Sequence, residues 1–387
     1  MNSFARALFF VILVGAVLYG ANKYGLLGDI GIPLGPPQKW GFIDRTGKVV
    51  IEPRFDAVAG CTILGGGTMG LRPTQCFQEG LSAVAIGRKW GFIDHTGKLV
   101  VPARYGFAGN FSDSLAVYSM ADNGPFGYID KTGREVIPAK FLMARDFHDG
   151  LAPASMDRVH FGYLDKSGAF AIPAQFISVD MFSDGLAWVR TATSSYYIDT
   201  AGKKVIEVPT SHIACPFSEG LACILAPQAD EGYVVDKKGS VVFRFTGRCD
   251  AVKDGKLLCF GKNEGTIYDA TGKKLATLAP EFRIQNQFSE GLCSAAVDEV
   301  TEPMTGSMWI KAGYINPSGQ WAIRPAFYGP AQDFHEGLAA VTEWKEASGR
   351  RQYGFIDKTG RFAIAPRYGD AFPFSEGLAA VQMPVSK

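Results

Sequence analysis

The stretch Lys39-Trp40-Gly41-Phe42-Ile43-Asp44-Arg45-Thr46-Gly47-Lys48 returns almost letter for letter as Lys89-Trp90-Gly91-Phe92-Ile93-Asp94-His95-Thr96-Gly97-Lys98. Weaker copies centre on Asp130, Asp165, Asp199, Asp236, Asp269, Asn316 and Asp357. Every copy has a glycine three residues on, from Gly47 to Gly360. Repetition at this spacing constrains the fold more than any other feature, because each unit must bury its apolar faces against its neighbours. A length of 387 residues alone would suggest two or three domains. Instead a single array runs from about Lys39 to Gln382. The chain divides into a hydrophobic N-terminal segment (residues 1–21), a Gly- and Pro-rich linker (22–38) and the array (39–387).

Within one unit, Trp40 to Asp44 is a strand by its aromatic and β-branched content. Asp44-Arg45-Thr46-Gly47 is a tight turn, with Asp at its start and Gly supplying positive φ at its end. Val49-Val50-Ile51 is the returning strand, closed by Pro53. A second motif, Phe77-Gln78-Glu79-Gly80-Leu81, returns at Phe147, Phe182, Phe217, Phe288, Phe334 and Phe374, and without its glycine at Phe111. The Leu-Ala-Ala-Val type run after it reads as another strand, paired through a short hairpin to the Trp90-type strand. The unit is therefore expected to be a three-stranded antiparallel meander. Phe92 and Ile93 point to opposite faces, so both faces are apolar and each small sheet is sandwiched between neighbours.

These motifs resemble the bacterial WG-repeat family, also called KWG repeats, with a pattern close to K-W-G-F-I-D-x-T-G-K followed by F-S-E-G-L-A-A-V. The resemblance covers nearly all of the chain from Lys39 to Gln382; Phe126, Phe161, Tyr196 or Tyr353 replaces the tryptophan, and the units at Asp236 and Asp269 are worn. It implies an all-β repeat protein that mediates interactions, with no catalytic residues to carry over. The expected architecture is a tandem array of nine meanders, open and superhelical like a solenoid, preceded by an N-terminal hydrophobic helix. The alternative is a closed, propeller-like ring. The chain starts on a middle strand at Trp40 and ends on a first strand, Leu378 to Gln382, which could complete the first sheet. Against closure, nine units exceed the usual 4–8 blades.

Ala7 to Ala21 is wholly apolar or small, near the top of the length of a signal-peptide core and short of the ~20 residues a spanning helix wants. It offers a poor cleavage site and reads as an uncleaved signal anchor, with secretion after cleavage as the alternative. Arg6 on its near side predicts a cytoplasmic N-terminus and an exported array, periplasmic or extracellular.

Chemistry is sparse. Lys+Arg 39 against Asp+Glu 38 leaves a net charge of +1, without the clustered basic excess of a nucleic-acid binder. Gly65 to Gly70 contains G-x-G-x-x-G but has no βαβ context, so it reads as a loop. The histidines (His95, His148, His160, His212, His335) have no metal-ligand spacing and no C-x-x-C occurs, so no metal or cofactor is expected. Glu219, Glu290 and Glu376 suggest turn carboxylates before a functional charged row. Trp40 and Trp90 could stack a sugar, but an aromatic in every unit is more often core. Of seven cysteines, Cys61 and Cys76 bracket a Gly-rich insertion and are expected to form a disulfide, worth ~3 kcal/mol for such a loop. Cys249 and Cys259 flank a short turn and are the second candidate pair.

The expected function is a membrane-anchored, exported, non-enzymatic scaffold for an unknown protein or cell-envelope ligand. The competing reading is a surface carbohydrate-binding protein or hydrolase built on a propeller-like fold. The Asp-x-x-Gly turns are uniform, whereas the hairpins before the Trp-type strands vary. They are Gly87-Arg88, Ala121 to Pro125, Asp298 to Lys311 and Glu343 to Gln352. Variable loops on a rigid scaffold carry function more often than the scaffold does. Trp309, Trp344, Arg350 and Arg351 have the composition of binding hot spots and are the candidate interaction residues.

Overall fold

In the computed structural model, the central strand of the first repeat, Gln38–Asp44, has a partner on each side. One is Val49–Phe55, which follows it directly. The other is Leu378–Pro384, from the far end of the chain, paired without a break from Gln38↔Pro384 to Asp44↔Leu378. The structure describes residues 37–59, 75–122, 124–226, 230–249, 251–261, 264–301, 308–345 and 350–385.

This pairing closes the array into a nine-bladed ring resembling a β-propeller, and corrects the expectation of an open solenoid. The physical reason is a complete interface at the join. Ile43, Phe374, Ala379 and Val381 of the closing blade are buried against Phe355, Ile364 and Tyr368 of the ninth. An open array would leave that core and a full strand edge in water.

Counting from the closing blade, blade 2 comprises Ala57–Val58, Ser82–Ile86, Lys89–Ile93 and Leu99–Tyr105 in that spatial order. Blades 3 to 9 have third strands Phe126–Ile129, Phe161–Leu164, Ser195–Asp199, Glu231–Asp236, Gly265–Asp269, Met308–Ile315 and Arg350–Ile356. Among the described residues seven sheets are four-stranded and two, blades 1 and 9, are three-stranded. The expected three-stranded meander therefore misses a short first strand, such as Ala57–Val58, laid down as soon as the fourth strand of the preceding blade ends.

The expected N-terminal hydrophobic helix, and with it the membrane-anchored, exported placement and the membrane as a partner, is corrected. Among the described residues no helix is long and apolar enough to cross a membrane. The segment Ala7 to Ala21 lies outside the described residues.

Every core lies between two blades. Leu115, Tyr128, Ile137 and Phe141 of blade 3 are buried with Phe147, Ala152 and Leu164 of blade 4. The second motif's phenylalanine meets the preceding blade's third-strand aromatic edge-on, with ring centroids 5.2 Å apart for Phe42–Phe77 and 4.8 Å for Tyr128–Phe147.

The Trp-Gly dipeptide has a backbone cause. Trp40 pairs with Phe55 but Phe42 pairs with Ile51, so the fourth strand bulges over Gly41. That bulge contains Pro53, tolerated because the outermost strand has a free edge. The strand thus runs through the proline that the sequence suggested as its end. A Cβ at Gly41 would sit 2.6 Å from the Ile51 carbonyl oxygen, one at Gly91 2.6 Å from that of Val101, and one at Gly127 2.4 Å from that of Ile137. Where the slot holds Tyr196, Tyr233 or Thr266, the fourth strand has no internal proline and pairs flush with it: Tyr196↔Glu207, Tyr233↔Arg244, Thr266↔Thr277. The same register puts Ser195, not Tyr196, in the tryptophan's place.

Candidate functional site

The ring has two unlike faces. On the turn face lie the turns between first and second strands and those between third and fourth. Glu79 and Gly80 both have positive φ, 53° and 86°, the backbone of a two-residue type I′ hairpin. A non-glycine residue in this region is strained, and the strain is offset by a hydrogen bond to the next blade. The Glu79 carboxylate accepts from Ser114 N at 3.1 Å, Asp113 from Gly150 N at 2.7 Å, and Asp149 from Gly185 N at 2.7 Å. Asp184, Glu219, Asp254, Glu290 and Glu336 continue the series to Gly220, Gly255, Gly291, Gly337 and Gly377. Glu376 then accepts from Gly80 N at 3.0 Å and completes the circle. Lys131, Lys358 and His95 reach Glu79, Glu290 and Glu376 at 3.0 Å. The carboxylates at Glu219, Glu290 and Glu376 are thereby committed to holding blades in register.

The third–fourth turns are equally uniform. Asp44 Oδ1 accepts from Thr46 N at 2.9 Å, Thr46 Oγ1 at 2.6 Å and Lys48 N at 3.1 Å, and the pattern recurs at Asp94, Asp130, Asp269 and Asp357. These hydrogen bonds hold the carboxyls below the usual range, the threonine hydroxyl contributing most.

Near the short first strands, burial pushes three carboxyls the other way: Asp146 up to about 6, and Asp180 and Asp370 in the same direction. Asp146 Oδ1 lies 3.1 Å from where a Cβ on Gly109 of blade 3 would be. Opposite signs follow for stability. A raised carboxyl binds its proton in the fold first, so stability from Asp146 grows as pH falls from about 6 toward the unfolded value near 3.9. A depressed carboxyl stabilises above the unfolded value and loses that contribution as pH falls through the folded one. The expected urea midpoint therefore rises from pH 7.5 to about 5 and falls below about 4. A midpoint that declines steadily from pH 7.5 downward would show that the buried aspartates do not govern the upper limb.

The opposite, hairpin face carries the second–third hairpins and the links between blades. Hairpin length varies here. Blade 2 turns at Gly87 and Arg88, both with positive φ. Blades 8 and 9 extend long ribbons, Leu292–Thr301 with Met308–Ile315 and Ala339–Lys345 with Arg350–Ile356. Trp344 is opposite Arg351 and Lys345 opposite Arg350. Trp309 falls between Met308, opposite Thr301, and Ile310, opposite Asp298. The structure thus places the two tryptophans in hairpins of adjacent blades on one face. Trp344 is half-buried and Arg351 exposed, its guanidinium 2.6 Å from where a Cβ on Gly329 would be. The side chains of Trp309 and Arg350 lie outside the described residues.

A cavity of about 340 Å³ opens at blade 6 between His212, Glu231, Tyr233, Arg244 and Tyr268. The Arg244 guanidinium lies 5.5 Å above the Tyr233 ring. Sequence reasoning missed this cavity. Its one sequence signal is Gly232 in the tryptophan's slot, which lines it together with the Phe245 ring. Among the described residues no cluster of three or more His, Cys, Asp or Glu could hold a metal ion. Cys249 and Cys259 are directly opposed across blade 7 and joined by a disulfide. Cys76 is a buried free thiol, and its expected partner Cys61 lies outside the described residues, as does the Gly65 to Gly70 stretch.

A family profile described as WG containing repeat matches residues 40–60, 90–123, 126–158, 161–191, 313–343 and 353–383. These are the repeats with glycine beneath the proline bulge; the unmatched stretch between 191 and 313 holds Tyr196, Tyr233 and Thr266 in that slot. None of the curated proteins matches the chain. Among solved structures, Hsv2 of Kluyveromyces lactis overlays with a TM-score of 0.37 at 8% identity, covering 72% of this chain and 95% of that one. AztD of Citrobacter koseri gives 0.34 at 15% identity, with 53% and 71% covered. PorZ of Porphyromonas gingivalis, described as a bacterial surface component of the type-IX secretion system, gives 0.30 at 12% identity, with 76% and 51% covered. Likenesses this weak carry no argument about function.

Proposed function

We propose that the chain is a non-enzymatic binding scaffold built on a nine-bladed ring, with its partner contacts on the hairpin face. The observation that carries this reading is the contrast between faces. Turn-face carboxylates are spent on the neighbouring blade or on their own turn, repeat after repeat. Hairpin-face loops differ in length and composition far more than the turns on the opposite face, which is how loops on a rigid frame acquire binding roles. Trp309, Trp344, Arg350 and Arg351 are the proposed contact residues in blades 8 and 9, a combination of aromatic and guanidinium groups common at hot spots.

The test is to shorten residues 298–311 and 343–352 to two-residue Gly-containing turns. Circular dichroism should be unchanged, and affinity for a partner recovered by pull-down should fall at least tenfold, about 1.4 kcal/mol. Full affinity in the shortened protein would remove these two hairpins from the interface.

A carbohydrate ligand is the second reading, favoured by the blade 6 cavity. Tyr233 and Tyr268 supply aromatic lining there, with Arg244 over the Tyr233 ring and Glu231 and His212 as further hydrogen-bonding groups. Glycan-array binding abolished by Tyr233→Ala would support it over a protein partner.

A further inference from the structure

Large apolar side chains are not spread evenly over the hairpin face. Met120 follows the second strand of blade 3, and Met156 and Val159 form the hairpin of blade 4. Leu142 and Met143 lie on the link from blade 3 to blade 4, and Ile177 on the link from blade 4 to blade 5. All six are exposed, from 37% for Met143 to 56% for Met120. Backbone bonds set Leu142 and Met143 against the blade 4 hairpin that holds Met156 and Val159, and Ile177 against the end of the second strand of blade 5. Leu142 N donates to Ser155 O at 2.9 Å, Met143 pairs with Ser155, and Ile177 N donates to Arg190 O at 2.8 Å. The result is an apolar band over three consecutive blades; most other exposed apolar side chains, such as Val50, Leu99, Val205, Val241 and Phe362, lie on the outer fourth strands, with Ile86 and Ile213 elsewhere on the hairpin face. Contiguous exposed patches of this kind mark interaction sites, and methionine adapts to varied partner shapes.

Basic groups outnumber acids around the band, where Asp122, two residues after Met120, and Asp157 are the exposed acids. Arg158 stands between Met156 and Val159, Arg190 beside Ile177, and Arg88 at the tip of the blade 2 hairpin; all three are exposed. Among the described residues none of them is in an ion pair. Asp157, the acid within the blade 4 hairpin, is exposed but engaged locally: its carboxylate accepts from Val159 N at 2.8 Å and His160 N at 2.7 Å and meets His160 Nδ1 at 2.7 Å. An apolar band edged by outward guanidinium groups is complementary to apolar side chains flanked by carboxylates.

We infer that this sector of blades 3 to 5 docks a partner-protein segment carrying aliphatic or aromatic residues next to Asp or Glu. The inference rests on the reading of the hairpin face as the binding face, and assigns it a second sector, away from Trp309 and Trp344.

The experiment pans a random dodecapeptide phage library on the full-length chain. Enriched peptides should combine Leu, Ile or Phe with Asp or Glu. The dissociation constant of the best synthetic peptide should rise at least tenfold with Met156→Asp plus Val159→Asp, or with the milder Val159→Ser plus Met156→Ser. It should rise similarly with Arg158→Glu, and exchanging the peptide's acid for Lys should restore binding to that variant. Unchanged circular dichroism melts would establish that the substitutions leave the fold intact. Peptides without acids, or peptides indifferent to all these variants, would overturn the inference. So would saturable binding to phosphatidylglycerol vesicles with no peptide enriched, which would make the band a lipid contact. Peptides lost only when the blade 8 and 9 hairpins are shortened would refute this sector while leaving the face reading standing. Peptides touched by neither set of changes would refute both.

Discussion

Gly127→Ala should lower the stability of the ring by about 3 kcal/mol, the upper range for forcing extra volume into a packed site. The new methyl carbon would lie 2.4 Å from the Ile137 carbonyl oxygen and 2.6 Å from the Ala139 nitrogen. Both are backbone atoms of the bulged strand Glu135–Phe141 and cannot rotate aside. Gly80→Ala is the comparison. It has φ of 86° but nothing within 4 Å of the added carbon, so only the left-handed backbone penalty of about 1–2 kcal/mol applies. Urea unfolding of both variants separates steric from conformational cost. If Gly127→Ala is the milder of the two, the bulge is not what requires glycine.

Ending the chain after Gly377 should have the larger effect. It removes Leu378–Pro384, strips the Gln38–Asp44 strand of one partner along its whole length, and withdraws the buried side chains of Leu378, Ala379, Ala380, Val381 and Met383. Restoring water to those side chains costs on the order of 5–10 kcal/mol at the usual value per buried aliphatic group. That is comparable with the whole stability of a typical domain. The exposed Lys39-Trp40-Gly41-Phe42-Ile43 edge is also a template for pairing with other chains. The truncated protein should therefore elute as aggregate or oligomer, and a synthetic peptide of residues 378–387 should shift part of it back to monomer. A truncated monomer with an unchanged melting midpoint would mean that closure adds nothing.

Much of this fold was legible from the repeats. The third and fourth strands, the Asp-x-x-Gly turn and the hairpin before the Trp-type strand follow from local chemistry that any single unit contains. The first strands do not. Ala57–Val58 and Ser178–Val179 are two residues long, too short for a period to register, and exist only because the Ser82–Ile86 and Leu186–Arg190 strands offer them an edge. Closure was equally hidden, since it depends on how far each interface turns the next blade, and no residue encodes that angle alone. The Leu378 to Gln382 strand announced a partner but not which geometry would deliver it. The proline bulge was misread as a strand end because Pro53 lacks a donor, and the free outer edge that excuses it is a tertiary fact. On the candidate site, variable hairpins could be found by length, whereas the Met120 to Ile177 band could not. Its members are scattered over hairpins and links of three blades and become neighbours only in the ring.

The hydrogen bond from Val385 N to Pro37 O, 3.0 Å long, joins the two ends of the described array beside the paired strands they come from. The molecule consequently has no structural first blade. Joining those ends and reopening the chain at the Gly87-Arg88 hairpin would give a circular permutant with the same neighbours at every interface. The order in which the blades are synthesised is then separable from the order in which they stand, and the seam could move to another blade without altering the turn face.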